Sequence, residues 1–171
     1  MKSYLYGLLF LMVLASCTSK NESKAQKAVD FDLLVAGTIS GNDTIVADTR
    51  FIAEKWGAVV KTQSNAKNNV QLKKFRIVKT RTIGEDPQDC YLLMASTPDG
   101  SIKVGTTLYL KENKFYFDVK EISGRKTSRI IICHGNCEDK GCLPQVVISD
   151  NEKHLVCSSC IDCEKITGQV Y

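Results

Sequence analysis

The chain has 171 residues, with 23 Lys and Arg against 19 Asp and Glu, a net charge of +4. That surplus is too small to argue for a nucleic-acid partner. With 43% apolar and 25% charged residues, the composition is that of a folded globular domain rather than a disordered chain.

The start of the chain is an export signal. Lys2 is followed by an apolar run from Leu5 to Val13, interrupted by Tyr6 and Gly7. The run is about nine residues, the length of a secretory apolar region and far short of the roughly twenty needed to span a bilayer. It ends in Leu14-Ala15-Ser16-Cys17. This tetrad resembles the lipobox of bacterial lipoproteins. The resemblance implies cleavage after residue 16 and acylation of Cys17, and therefore a protein held on the lipid bilayer of the cell envelope. Two or three acyl chains anchor stably where one holds only marginally. Thr18 in place of an acidic residue favours, by the same resemblance, the outer membrane facing the periplasm; with Glu22 as the only early acid, surface display has little support. Residues 17–28 read as the lipidated cysteine and a polar spacer, and residues 29–132 as a β-rich globular domain. Residues 133–171 read as a Cys-rich tail.

Within the globular domain, Phe31 to Ala36 suits a strand ending near Gly37. Asp43-Thr44-Ile45 matches the Asp-Ser/Thr-apolar acceptor pattern of protein O-glycosylation in the Bacteroidota, which makes Thr44 a glycosylation candidate on a loop. Asp48 can cap a helix in which Ile52, Trp56, Val59 and Val60 fall at helical spacing. Trp56 reads as the residue that packs this helix on a sheet. Val70 to Val78 is a strand whose parity changes after Leu72, the mark of a bulge. Cys90 precedes the apolar run Tyr91 to Met94 and is either a buried thiol or a tie to the tail. Thr97-Pro98-Asp99-Gly100 is a turn. Val104, Thr106, Leu108 and Leu110 then alternate with Lys103, Gly105, Thr107 and Tyr109, as in a strand with one buried face. After a turn at Lys111 to Lys114, Phe115, Phe117 and Val119 share one face. Tyr116 would stand beside Tyr109 on the polar face, as cross-strand packing or as a ligand platform. Ile130 to Ile132 closes the domain. The expectation is an α+β fold, a curved antiparallel sheet of about five or six strands with one helix and a loop-rich tail; an all-β sandwich or barrel is the alternative.

The tail carries Cys133, Cys137, Cys142, Cys157, Cys160 and Cys163. In an exported protein such a set reads first as disulfides. Strain inside Cys-x-x-Cys disfavours adjacent bonds, so pairing is expected between the first three and the last three, with the connectivity open. The alternative is a metal site. Cys133, Cys137, Cys157 and Cys160 could supply four thiolates to Zn or Cu(I), with His134 and His154 as spares. Cys157-x2-Cys160-x2-Cys163 matches three of the four positions of a bacterial Fe–S ferredoxin run. Redox exchange ranks last, because Asp162 and Glu164 are the wrong sign to stabilise a thiolate.

Together, the lipobox and the tail pattern Gly141-Cys142-Leu143-Pro144 before Cys157-x2-Cys160-x2-Cys163 resemble small envelope lipoproteins of the Bacteroidota. No activity or site comes with that resemblance. The sequence holds no nucleophile elbow, zincin motif, Walker loop or dinucleotide fingerprint. The expected role is therefore a non-enzymatic, disulfide-stapled module that binds or supports an envelope protein or glycan and needs no cofactor; a periplasmic metal or redox protein is the alternative.

Overall fold

A computed structural model describes residues 35–38, 44–63, 70–135 and 141–170. The expectations placed on the leader, Cys17, the spacer, Asp43 and Cys137 fall outside the described residues. The fold is α+β. Its helix α1 (Thr49–Gln63) follows two short strands, β1 (Val35–Thr38) and β2 (Thr44–Ile45). The meander comes next: β3 (Lys73–Arg81), β4 (Asp89–Ser96), β5 (Ile102–Lys111), β6 (Lys114–Phe117), β7 (Val119–Ile122) and β8 (Arg125–His134). The cysteine region adds β9 (Pro144–Ser149), β10 (Glu152–Cys157) and β11 (Glu164–Val170).

Among the described residues nine strands form one sheet, paired antiparallel, and β9 with β10 forms a separate hairpin. This is more strands than the five or six expected. The excess has three sources. Asp118 donates its N–H to Thr107 and breaks the run Phe115–Val119 into β6 and β7. The segment Thr44–Ile45 pairs with β1, and the tail is not loop-rich but folds into three further strands.

Local chemistry accounts for the elements. Oδ1 of Asp48 accepts the N–H groups of Arg50 and Phe51 at 2.9 and 3.3 Å, two of the donors a helix start leaves unpaired. Ile52, Trp56 and Val60 are buried on one stripe of α1. At the start of β3 the register shifts between Lys73 and Arg76, where Lys74 takes φ 51°, so the parity change is a bulge. Three turns place consecutive residues at positive φ: Glu112–Asn113, Ser123–Gly124 and Asp150–Asn151, the twist that two-residue hairpin loops require.

The turn before β5 is closed by Gly100, at φ 76°, whose N–H bonds the Thr97 carbonyl at 3.0 Å. The hydroxyls of Thr97 and Ser101 and the Ser101 amide hold the Asp99 carboxylate at about 2, below its ordinary 3.8. A depressed acid stabilises the fold above its unfolded pKa and loses that contribution as pH falls through the folded one. The stability gap between the native chain and Asp99→Asn is therefore expected to be present at pH 6, to shrink between about pH 4 and pH 2, and to close below. Thermal melts across that range read it out, and a gap that ignores pH contradicts the assignment.

The sheet is covered on both faces. On one, α1 packs Ile52, Trp56 and Val60 against Leu93, Val104, Leu108, Phe115, Ile130 and Ile132. On the other, the β9–β10 hairpin lays Val146 and Leu155 over Cys90, Leu92 and Met94, with Ile131 and Cys133 beside them. Hence the alternate residues of β5 are not all solvent-facing as expected. Gly105 is buried, and a side chain there would meet Pro144 at 2.8 Å. Backbone bonds pin the hairpin further: Ile83 N–H to the Val146 carbonyl at 2.8 Å, and Ile148 N–H to the Ile83 carbonyl at 2.9 Å. Leu110 is 39% exposed, outside the buried set expected for β5. Tyr116 is 6% exposed where the polar face was expected; it lies opposite Tyr109 in register, but only Tyr109, at 53%, faces solvent.

Candidate functional site: a cluster of disulfide sulfurs

Cys133 lies near the end of β8, fully buried, on the sheet face that carries the hairpin. It is bonded to Cys157, the last residue of β10, with Cα atoms 5.7 Å apart. Cys142, just before β9, is bonded to Cys163, just before β11, at 5.3 Å. Both separations lie in the ordinary range for disulfides. One bond therefore bolts the open end of the hairpin to β8, and the second ties its entry to the last strand. Ser158 closes the same corner: its hydroxyl accepts the Leu143 N–H at 2.9 Å and donates to the Gly141 carbonyl at 3.2 Å.

Both described bonds join the first group of three cysteines to the second. Cys160 is also disulfide-bonded. Cys90 is the free cysteine among the described residues; it is buried, and burial raises its thiol pKa. It packs under the hairpin with Leu92, Met94 and Val146 rather than tying the tail to the body.

The two bonds lie side by side. The Sγ atoms of Cys133, Cys142 and Cys157 are all within 4.8 Å of one another. Thiolates about 2.3 Å from a tetrahedral metal stand roughly 3.8 Å apart, so Cys133 and Cys157, bonded to each other, would have to part on reduction while Cys142 stays beside them for the three to share one ion. Cys163, bonded to Cys142, falls outside this group of three. The set differs from the four chosen on sequence spacing. Cys133 and Cys157 belong to it, Cys160 falls outside it, Cys142 is added, and Cys137 lies outside the described residues. The histidines are occupied elsewhere: His134 Nδ1 is 3.7 Å from Glu164, and His154 Nε2 is 3.3 Å from the Ser149 carbonyl.

Strand register adds charge that sequence spacing concealed. Lys103 on β5 and Lys165 on β11 are the two cross-strand partners of Cys133. Directly opposed residues share a face, with Cβ atoms about 5 Å apart. Nζ of Lys103 donates to the Gly100 carbonyl at 2.9 Å, and burial lowers its pKa. Two lysines thus flank Cys133 in the sheet, beside the acidic pair Asp162 and Glu164 that the sequence emphasised.

The remaining candidates sit apart from this cluster. Trp56, 2% exposed and 5.9 Å from the Phe75 ring, packs the helix on the sheet. Thr44 is exposed but lies in β2, not on a loop. No helix among the described residues is long and apolar enough to cross a membrane. No family model, curated protein or solved structure matches this chain.

Proposed function

We propose that this chain is a lipid-anchored protein of the bacterial envelope, tethered through Cys17, whose sulfur cluster is its working centre. When oxidised, the centre is a pair of disulfides that lock the hairpin to the sheet. When reduced, it holds one soft metal ion such as Zn²⁺ or Cu⁺. The observation that carries this reading is the convergence of three sulfurs from two separate bonds within 4.8 Å. Each bond takes up two electrons, from a thiol or phosphine reductant, before its sulfurs can ligate. Cys133, Cys142 and Cys157 would then bind the ion. A metal–thiolate centre would restore the link between hairpin and sheet that reduction breaks.

A second reading has its own support. The ordinary Cα separations of both bonds fit permanent staples, with the protein acting as a rigid, non-catalytic module that binds an envelope protein or glycan. One experiment separates the two. The soluble part, from residue 18 onward, is reduced with a phosphine, titrated with Zn²⁺ and desalted for elemental analysis. The metal-centre reading expects one zinc per chain, lost in Cys142→Ser. Zinc that washes out, or that survives that substitution, would leave only the staple.

A further inference from the structure

Beyond the sulfur cluster, the hairpin covers only part of its sheet face. Asn151 and β10 residues 152–155 line one side of a cleft of about 460 Å³. That is within the usual range for small-molecule sites. Its floor is polar: Thr107 and Tyr109 from β5, Arg129 from β8, and Lys165 and Thr167 from β11. Lys120 of β7 and Lys153 of β10 complete the ring of cations.

Four cations thus face one cleft that contains two carboxylates, Asp118 and Glu152. Asp118 is already committed, since it accepts the Thr107 hydroxyl at 2.9 Å and interacts with the Tyr109 phenol, whose pKa is raised by burial first and by Asp118 second. None of Lys120, Arg129, Lys153 or Lys165 has a carboxylate within 4.0 Å among the described residues. Exposed lysines on a convex surface are merely solvated. Here they come from four strands and converge on a concavity, and uncompensated charge of one sign in a cleft concentrates the opposite ion. The half-exposed ring of Tyr109 adds an apolar face to the same floor. A metal ion or a neutral apolar ligand would find the wrong charge or too little apolar wall.

We infer that the cleft beneath the hairpin tip is a binding site for an anionic saccharide, its carboxylate or phosphate groups held by Arg129, Lys153 and Lys165 and a sugar face laid on Tyr109. Arg129 offers a planar fork for a two-point hold on the anion, and the lysines act as point charges. The site borders the sulfur cluster at Lys165, but its assignment does not rest on metal binding.

Calorimetry on the oxidised soluble protein tests the assignment with three probes: a trigalacturonate, glucose 6-phosphate and neutral maltotriose. The expected result is that at least one anionic probe binds, that maltotriose binds at least about tenfold more weakly, and that affinity for the anion falls as salt rises. Arg129→Gln combined with Lys153→Gln should weaken the anion at least about tenfold, whereas Lys55→Gln on α1 should leave it unchanged. A preference for trigalacturonate or for the sugar phosphate identifies which anion the cations serve, and either supports the site. Three results would overturn it: no binding of either anion, equal binding of maltotriose, or an equal loss in Lys55→Gln. Because Arg129 and Lys153 are exposed, the double variant should keep its fold, and an unchanged melting temperature verifies that.

Discussion

Replacing Cys133 and Cys157 together by alanine is expected to cost about 2–5 kcal/mol of stability, and to free the hairpin before the rest of the fold. The bond closes a loop of sequence separation 24 and joins β8 to the far end of β10. Without it, the hairpin is held by two backbone bonds to Ile83, by the packing of Val146 and Leu155, and by the Cys142–Cys163 link at its entry. Two-stranded hairpins are marginal alone, so amide exchange in β9 and β10 should quicken while β4 and β5 stay protected. The double substitution is the sharper test because it creates no new unpaired thiol beside the buried Cys90. Denaturant unfolding with exchange mass spectrometry measures both effects. A loss below about 1 kcal/mol, or uniform acceleration of exchange, would mean that the bond does not clamp the hairpin.

The second large effect belongs to the opposite face. Trp56→Ala is expected to cost about 3–5 kcal/mol, the range for removing a large aromatic from a core. Trp56 lies at the middle of the buried stripe of α1, between Ile52 and Val60, and it meets the Phe75 ring. Removing the indole takes away the largest side chain joining helix and sheet, and the sheet cannot collapse into the gap without shifting β3. The change also removes the sole tryptophan, so unfolding must be followed by circular dichroism. The sulfur centre is on the other face of the sheet, so the native disulfide pattern should survive under conditions where the variant folds. If unfolding instead shifts by less than about 1 kcal/mol, the helix is not secured through this residue.

What the sequence made legible follows from the range of the interactions involved. The helix was readable because its signals are local: a capping Asp48 and apolar residues three and four apart. The turns at Thr97–Gly100 and Lys111–Lys114 were readable for the same reason, and so was the bulge after Leu72. The covering hairpin was less visible, although Val146-Val147-Ile148 and Leu155-Val156 flank Ser149-Asp150-Asn151-Glu152 in a recognisable hairpin pattern. The cysteines drew attention from it, and a segment too poor in apolar residues for its own core looked like loop. It borrows its core from the second face of the sheet. The unbroken apolar runs Cys90–Ala95 and Ile130–Cys133 were the signal, since strands covered on both faces lose their alternation.

The site was legible in kind but not in composition. Among the described residues, cysteine spacing nominated Cys160 alongside Cys133 and Cys157, because short spacings suggest shared ligation. Position in space is set instead by strand register and by which hairpin end meets β8, and that places Cys142 in the cluster. The lysines beside Cys133 were hidden for the same reason: Lys103 is thirty residues away in sequence and directly opposite in the sheet.

The central claim is that sulfurs from two neighbouring bonds form one centre that exchanges covalent links for a metal. X-ray absorption at the zinc edge, on reduced protein loaded with one equivalent of Zn²⁺, tests it most directly. The account predicts a shell of three or four sulfurs at about 2.3 Å, reduced by one sulfur in Cys142→Ser. A shell dominated by nitrogen or oxygen, or one unchanged by that substitution, would contradict it.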